Sequence, residues 1–402
     1  MTARSRVLVV GCGFPQLGLL RAARELDLHV IGVDANVRSI GVAACHDFRE
    51  VSTHDVDGIA QVARETAAEG ITTCGSEISL ASAVRAAERL GMPFYGDVAT
   101  VDRCQAKDEM RAAYQRGGAP IPAFAVVTTQ AEATAFVAAH DLPVVVKPSR
   151  GWGQRGVSKV EKSSELEDAF ERAKAASSAG LVVIEAFIEG REFSVNAYTA
   201  NGTTTVYSVT ERIITHYPDP PGITFAEWFP AGLDSADERR AIDAALAGVR
   251  ALGIRRGPTY TQLRVGSRGA MIVETAYRLG GGLDPDVALL ASGTSLFRKI
   301  LGVALGRDDW EHAGPERPTH GGAIGKFLIG RPGRVVAIHG LERARAMPGI
   351  VAAEVYVEHG ATVFPLTDGS KRAGHVLAVG ADRDEAQARA ASAASAIHIE
   401  TV

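Results

Sequence analysis

Lys147 closes an apolar run, LPVVVKP, and the residues that follow, SRGWGQRG, carry Gly151, Gly153 and Gly156. A lysine on a buried strand needs a partner. A phosphate group is the natural one, and glycine-rich backbone with inward N–H groups can wrap its other oxygens. The competing reading is an edge lysine that reaches solvent beside an ordinary hairpin turn. Downstream, LVVIEAFIEGREFSV offers Glu185, then Phe187 and Ile188, then Glu192. Two carboxylates around an apolar connector suit a flat base with a hydrogen-bonding edge and an attached sugar. A third group lies in GPTYTQLRVGSRGAMIVETAYRLGGG, where Gln262 and Glu274 fall on adjacent antiparallel strands and can face the same side. Mg²⁺ takes one or two carboxylates and completes its octahedron with phosphate oxygens and water. Arg278, with the glycines at 280 to 282, is then placed to stabilise charge on a transferred phosphoryl group. A solvated hairpin with unrelated charges is the plainer alternative.

The elements that must position these groups can be read from periodicity. RVLVV (6–10), a glycine-rich turn, a helical stretch from Leu19 to Leu26 and HVIGVD ending at Asp34 make a βαβ opening. Alternation continues through a helix over Asp57 to Glu69, a strand over Ile71 to Cys74 and a helix over Ala81 to Leu90. The first part of the chain therefore reads as a small doubly wound α/β domain. Its turn, GCGFPQLG, superficially matches a dinucleotide fingerprint with Asp34 on a ribose hydroxyl. The spacing is off, because Gly18 falls two positions late and Pro15 sits inside the turn. A tight strand-to-helix turn beside an acidic residue explains the pattern equally well.

Past Val101, a helix at Lys107 to Gln115 leads through GGAPIPAF into strand VVVKP, the glycine loop, strand VSKV, helix SSELEDAFERAKAA and strand LVVIEAF. EFSVNAYTANGTTTVYSVT reads as a hairpin about Asn201-Gly202, a strong turn dipeptide. The proline-rich HYPDPPGITFAEWFP reads as an irregular functional loop or flap. Helix ADERRAIDAALAGVRALG precedes the strands that carry Gln262 and Glu274, and a last region from Thr319 to Val402 alternates short strands and helices.

Bulk properties narrow the function class. A chain of 402 residues exceeds one ordinary core, so two or three domains are expected. A formal net charge of −4 gives no footprint for nucleic acid or for an anionic membrane. Cys12, Cys45, Cys74 and Cys104 are widely spaced without a CxxC pair, which argues against a thiolate metal site or a disulfide framework. No apolar run approaches the ~20 residues of a membrane span. A soluble, cytoplasmic protein is expected.

Taken together, these residues resemble the ATP-grasp superfamily, in the branch of biotin carboxylase, carbamoyl phosphate synthetase and the L-amino acid ligases. The likeness covers essentially the whole chain. It implies an α/β (α+β) ATP-grasp fold: a doubly wound pre-ATP-grasp domain at 1–100, an ATP-grasp domain at 101–318 with a lid at about 120–188, and a small C-terminal α/β domain at 319–402. By resemblance, Lys107 and Lys147 contact ATP phosphates beneath the glycine loop, Glu185 to Ile188 form the adenine linker, and Glu192 binds ribose. Gln262 and Glu274 match the Mg²⁺ (or Mn²⁺) ligands, and Arg278 and Lys147 the catalytic cations, with Gly281 and Gly282 offering N–H groups to the substrate.

Two departures from the family pattern stand out. Gln262 replaces the more frequent Glu, and the E-x-N metal motif reads Glu274-Thr275-Ala276, so the asparagine ligand is missing. Alanine cannot coordinate a cation. Asp284 and Asp286 are read as caps of the following helix, with help to a second metal ion as the other possibility. The resemblance implies an ATP-dependent carboxylate–amine ligase working through an acylphosphate, probed by small-molecule carboxylate and amine substrates and built as a homodimer. Arg212, His216, Tyr217 and Trp228 are expected to shape an amino-acid pocket, with Arg212 pairing a substrate carboxylate. Alternatives are a bicarbonate-using carboxylase, a nicotinamide-dependent dehydrogenase and a non-catalytic ATP binder.

Overall fold

A computed structural model describes residues 4–151, 153, 155–215, 222–312 and 320–402 of the chain. The N-terminal strands Arg6–Val10, His29–Asp34, Asp47–Glu50 and Gly70–Thr72 form a parallel sheet in the order third, second, first, fourth. Period-2 alternation divides the first strand between two apolar layers. Val7 and Val9 pack with Leu19 and Leu20 on one face, Leu8 and Val10 with Ile59 and Ala83 on the other. Burial on both faces is why this strand reads as an unbroken apolar run.

The glycine turn behaves as a plain strand-to-helix turn. Gly11 has φ +93°, and the Asp34 carboxylate accepts from the Cys12 N–H and the Asn36 N–H, both at 2.8 Å. Asp34 thus ties the turn to its own loop.

A second, antiparallel sheet, lying in the segment expected as the lid and hereafter the lid sheet, consists of Phe124–Val127, Val182–Ala186, Val144–Pro148 and Ser158–Val160, adjacent in that order. Helices Gln130–His140 and Leu166–Ala176 cover it through Phe136, Phe170 and Ala173.

The largest sheet has eight strands, all pairing antiparallel: Gly269–Ala276, Gly257–Gly266, Arg191–Ala200, Thr203–Thr215, Ile223–Phe229, Gly322–Leu328, Gly374–Gly380 and Ile350–Val355. It runs without a break from the central segment into the C-terminal one. Asn201 and Gly202 both take positive φ, as a two-residue hairpin turn of this hand requires. Helix Ser235–Leu252 packs Ala245 and Val249 on the sheet beside Phe193 and Ile272.

The reading of HYPDPPGITFAEWFP as wholly irregular needs correction. Ile223–Phe229 is a regular strand between Thr203–Thr215 and Gly322–Leu328. The prolines lie outside this run, so every residue within it keeps an N–H for the ladder. Among the described residues, no single helix is long and apolar enough to cross a membrane.

Candidate active site

The lid sheet, the eight-stranded sheet, two N-terminal turns and a C-terminal segment at 367–372 enclose a cavity of about 1890 Å³. Lys107, Lys147, Glu192, Gln262, Glu274 and Arg278 all line it.

Lys147 is 6% exposed, and its Nζ lies 2.5 Å from Glu185 Oε1. The lid register explains the meeting: Val145 pairs with Glu185, and Lys147, two residues on, faces the same side. Arg111 grips the same carboxylate from Nε and Nη2, at 2.7 and 2.8 Å, and also donates to the Val273 carbonyl at 2.7 Å. Burial pushes Lys147 down to about 8, with Glu185 opposing and Arg111 adding to the shift. Burial would raise Glu185, but Arg111 and then Lys147 hold it at about 2. The partner that a buried lysine demanded is therefore a carboxylate within the fold. Glu185 has its side chain committed there, so what it offers a base is its backbone.

Lys107 begins helix Lys107–Arg116, where its backbone N–H donates to the Ser149 carbonyl at 2.9 Å and its Nζ to the Gly151 carbonyl at 3.0 Å. The helix start is thereby tied to the glycine loop. Gly151 and Gly153 line the cavity. Gly156 does not: a Cβ there would stand 2.7 Å from the Ala176 Cβ, so this glycine, at φ +73°, permits close packing on helix Leu166–Ala176. Its expected place around phosphates is corrected accordingly.

Phe187 and Ile188 reach the cavity wall, the Phe187 ring lying between Lys159 Nζ at 4.4 Å and the Arg264 guanidinium at 4.7 Å. Glu192 accepts from Arg212 Nη1 at 3.0 Å and from Arg264 Nε at 3.1 Å. Arg212 also donates to Gln262 Oε1 at 2.9 Å and to Thr224 Oγ1 at 2.6 Å.

Gln262 and Glu274 are direct partners across the strand pair, beside a bulge between Gln262 and Leu263. One carboxylate and one amide oxygen on one wall fit a hard cation that draws its other ligands from phosphate and water. Ala276 lines the cavity at the position without a donor atom. Arg278 donates from Nη2 to Glu77 and from Nη1 to the Leu279 carbonyl at 2.8 Å, while its buried Nε has no partner. Gly281 and Gly282 line the cavity, and Gly281 lies against Gly75 of the N-terminal unit.

Trp228 is not a pocket residue. Alternation along Ile223–Phe229 turns Glu227 to the cavity and Trp228 to the opposite face, where it packs with Ile324 and Val376 under the Arg383 guanidinium at 4.6 Å. His216 and Tyr217 lie outside the described residues. Asp284 and Asp286 fall inside the first turn of helix Asp284–Ser292, with Leu283 at the N-cap and no side-chain cap bond. Asp284 faces the cavity and accepts from Ser194 Oγ at 3.0 Å. Asp286 is half-buried, and desolvation raises it to about 7 against the pull of Arg21. Sequence reasoning missed Glu77, Arg111, Glu227 and Arg372. For Glu227 the alternation against Trp228 was a usable signal, and Arg111 lies one helical turn from Lys107.

The sequence pattern of the ATP-grasp domain matches residues 140–286, and that of the L-amino acid ligase C-terminal domain 2 matches residues 326–402. Together the two patterns place an ATP-grasp domain and an L-amino acid ligase C-terminal domain in one chain. It is similar to the uncharacterized protein y4rH of Sinorhizobium fredii, 27% identical over 91% of this chain and 77% of that one. A D-alanine–D-alanine ligase of Marinobacter nauticus is 33% identical over 41% of this chain, and the match spans 51% of that ligase. In fold, the L-amino acid ligase of Bacillus licheniformis superposes over the full length of both chains with a TM-score of 0.80 at 22% identity. Its sequence is thus similar to ATP-grasp ligases over the centre and to the tail domain of the L-amino acid ligases over residues 326–402.

Proposed function

We propose that the protein joins an amino acid to an amine or to a second amino acid, through an acylphosphate, with release of ADP and phosphate. The observation that carries the reading is the meeting of Lys107, Lys147, Glu274 and Arg278 in one cavity between lid and central sheet. Those four groups are what phosphoryl transfer to a carboxylate asks of a protein, chiefly positioning and charge neutralisation. Kinship to the L-amino acid ligases through residues 326–402 supports an amino acid as the acid.

In this mechanism Lys147 and Lys107 attract the triphosphate from two sides. Lys147 reaches it on a rigid mount, because Glu185 and Arg111 fix the lysine without cancelling the local positive charge. Glu274 and Gln262 would hold Mg²⁺, which would supply charge neutralisation at the phosphate oxygens. Arg278, held by Glu77, receives charge on the transferred phosphoryl group and then on the tetrahedral oxyanion, together with the N–H groups of Gly281 and Gly282. The lid and its glycine loop exclude water that would hydrolyse an acylphosphate.

The test is ADP and phosphate release from ATP–Mg²⁺ across single amino acids, amino acid pairs and bicarbonate, with mass spectrometry of products. Release that depends on amino acids, with a product mass equal to their amide, is expected. Release driven by bicarbonate alone would overturn the reading in favour of a carboxylase.

A further inference from the structure

The cavity wall holds a buried carboxyl group that the mechanism above leaves unused. Glu227 is 1% exposed, yet lines the cavity, and its Oε2 has no hydrogen-bond partner. Burial and the neighbouring Asp284 push the Glu227 carboxyl well above the usual carboxylate range. Asp284 is fixed from behind by Ser194 Oγ at 3.0 Å, itself 2.6 Å from Thr210 Oγ1. The glycine segment leaves this pair open: a Cβ at Gly282 would stand 2.6 Å from Glu227 Oε1, and one at Gly280 2.7 Å from Asp284 Oδ2.

Facing the pair is Arg372, from the C-terminal segment that closes the cavity. Its guanidinium lies on the Phe327 ring at 3.7 Å and donates from Nη2 to the Thr224 carbonyl at 2.7 Å, but its buried Nε has no partner. Burial weakens its hold on its proton, and the nearby Glu227 restores part of it. Buried polar atoms without partners are rare in folded proteins. Here an orphaned acceptor and an orphaned donor share one cavity wall. An ammonium brings three donors and a carboxylate brings acceptors only, so an α-amino acid zwitterion satisfies both.

We propose that Glu227 and Asp284 take the ammonium group of the amine-donor amino acid, and that Arg372 holds the carboxylate of the same molecule. The proposal rests on the ligase reading. It also moves the carboxylate anchor away from Arg212: that residue too has a buried Nε without a partner, but both its Nη atoms are engaged by Glu192, Gln262 and Thr224, whereas at Arg372 it is Nη2 that donates to the Thr224 carbonyl. A substrate whose carboxylate is neutralised by a buried arginine is kept from activation; its ammonium passes one proton to the Glu227–Asp284 pair, the freed amine attacks the acylphosphate carbonyl, and phosphate leaves with the broken C–O bond. That assigns the order of residues in the product.

The experiment uses the full chain as wild type, Glu227→Gln and Arg372→Met, with individual proteinogenic L-amino acids and their pairs as probes. ADP release gives KM for the amine donor and for its carboxamide, which keeps the ammonium and loses the carboxylate. Each variant is expected to raise KM for the amine donor by at least about tenfold, with KM for ATP within about twofold of wild type. The carboxamide should be about tenfold weaker than the amino acid on wild type, and no weaker on Arg372→Met. Thermal melting and ADP binding identify folded variants; Glu227→Asp and Arg372→Lys, which keep charge and change reach, replace any that fail and should raise the same KM. An unchanged KM for the amine donor in folded variants overturns the subsite while the ligase stands. Wild-type enzyme without amino-acid-dependent ADP release overturns both, so the two failures are told apart by the wild type alone.

Discussion

Glu185 Oε1 lies 2.5 Å from Lys147 Nζ while Arg111 grips the same carboxylate at 2.7 and 2.8 Å, so one buried anion is shared by two buried cations. The triad carries a net positive charge at the floor of a cavity assigned to a polyanion. That surplus is the feature an incoming triphosphate would meet, and it sets the first two predictions.

Binding of ATP should weaken as pH rises through about 8, where Lys147 loses its proton in the free enzyme. Its cation is present below that value and gone above it, so kcat/KM for ATP should fall on an alkaline limb near pH 8. Bound phosphates favour the charged lysine, so the corresponding limb in kcat should move to higher pH. Lys147→Arg, charged throughout, should lack the limb. A wild-type profile that stays flat through this range would remove Lys147 from the phosphates.

Glu185→Gln should destabilise the protein by roughly 3–5 kcal/mol, because it leaves Arg111 and Lys147 buried without their counter-ion. The wild-type carboxyl is depressed from 4.5 to about 2 in the fold. Its contribution is therefore complete above the unfolded value and is lost as pH falls through about 2. Urea unfolding measures the loss, and saturating ADP should recover part of it by mass action. Equal stability of the variant and wild type would mean that the triad is solvated.

Magnesium dependence should follow the donor atoms available on one wall. Glu274→Gln removes the one carboxylate of the matched pair and should raise the half-saturating Mg²⁺ concentration by about tenfold or more. Ala276→Asn adds an oxygen donor at a position that lines the cavity and should lower it. Titration of ADP release with Mg²⁺ at fixed ATP checks both. If neither substitution moves the midpoint, the cation sits elsewhere.

Much of this site was legible because it rests on local signals. Lys147 ends an apolar run before a glycine loop, and Gln262 and Glu274 flank a short turn, so sequence spacing alone brought them into register. What escaped depends on contacts between distant segments. Arg111 meets Glu185 across 74 positions and Glu77 meets Arg278 across 201, and no periodicity records either pairing. Trp228 was misplaced for a different reason: prolines around it hid a strand, and without the strand its alternation with Glu227 was invisible. The helix-cap reading of Asp284 failed because the helix begins at that residue, one position past the N-cap Leu283, and its carboxylate accepts from Ser194 instead.

Glu77 links the N-terminal unit to Arg278, since it begins helix Glu77–Leu90 and receives the Arg278 guanidinium. It is a positioning residue, acting on the reacting atoms only through the arginine. Glu77→Gln keeps a hydrogen-bond acceptor but removes the charge, and Glu77→Ala removes both. With Arg278 no longer aimed, transition-state charge loses a donor whose removal in other oxyanion sites costs roughly 10²–10³ in kcat. The expected outcome is a kcat reduced by about tenfold in Glu77→Gln and by about a hundredfold in Glu77→Ala, with KM for ATP nearly unchanged. Steady-state kinetics on both variants separates positioning from structure. A merely structural glutamate would lower thermal stability and move kcat little, whereas a graded loss of kcat at constant KM assigns Glu77 the orientation of Arg278.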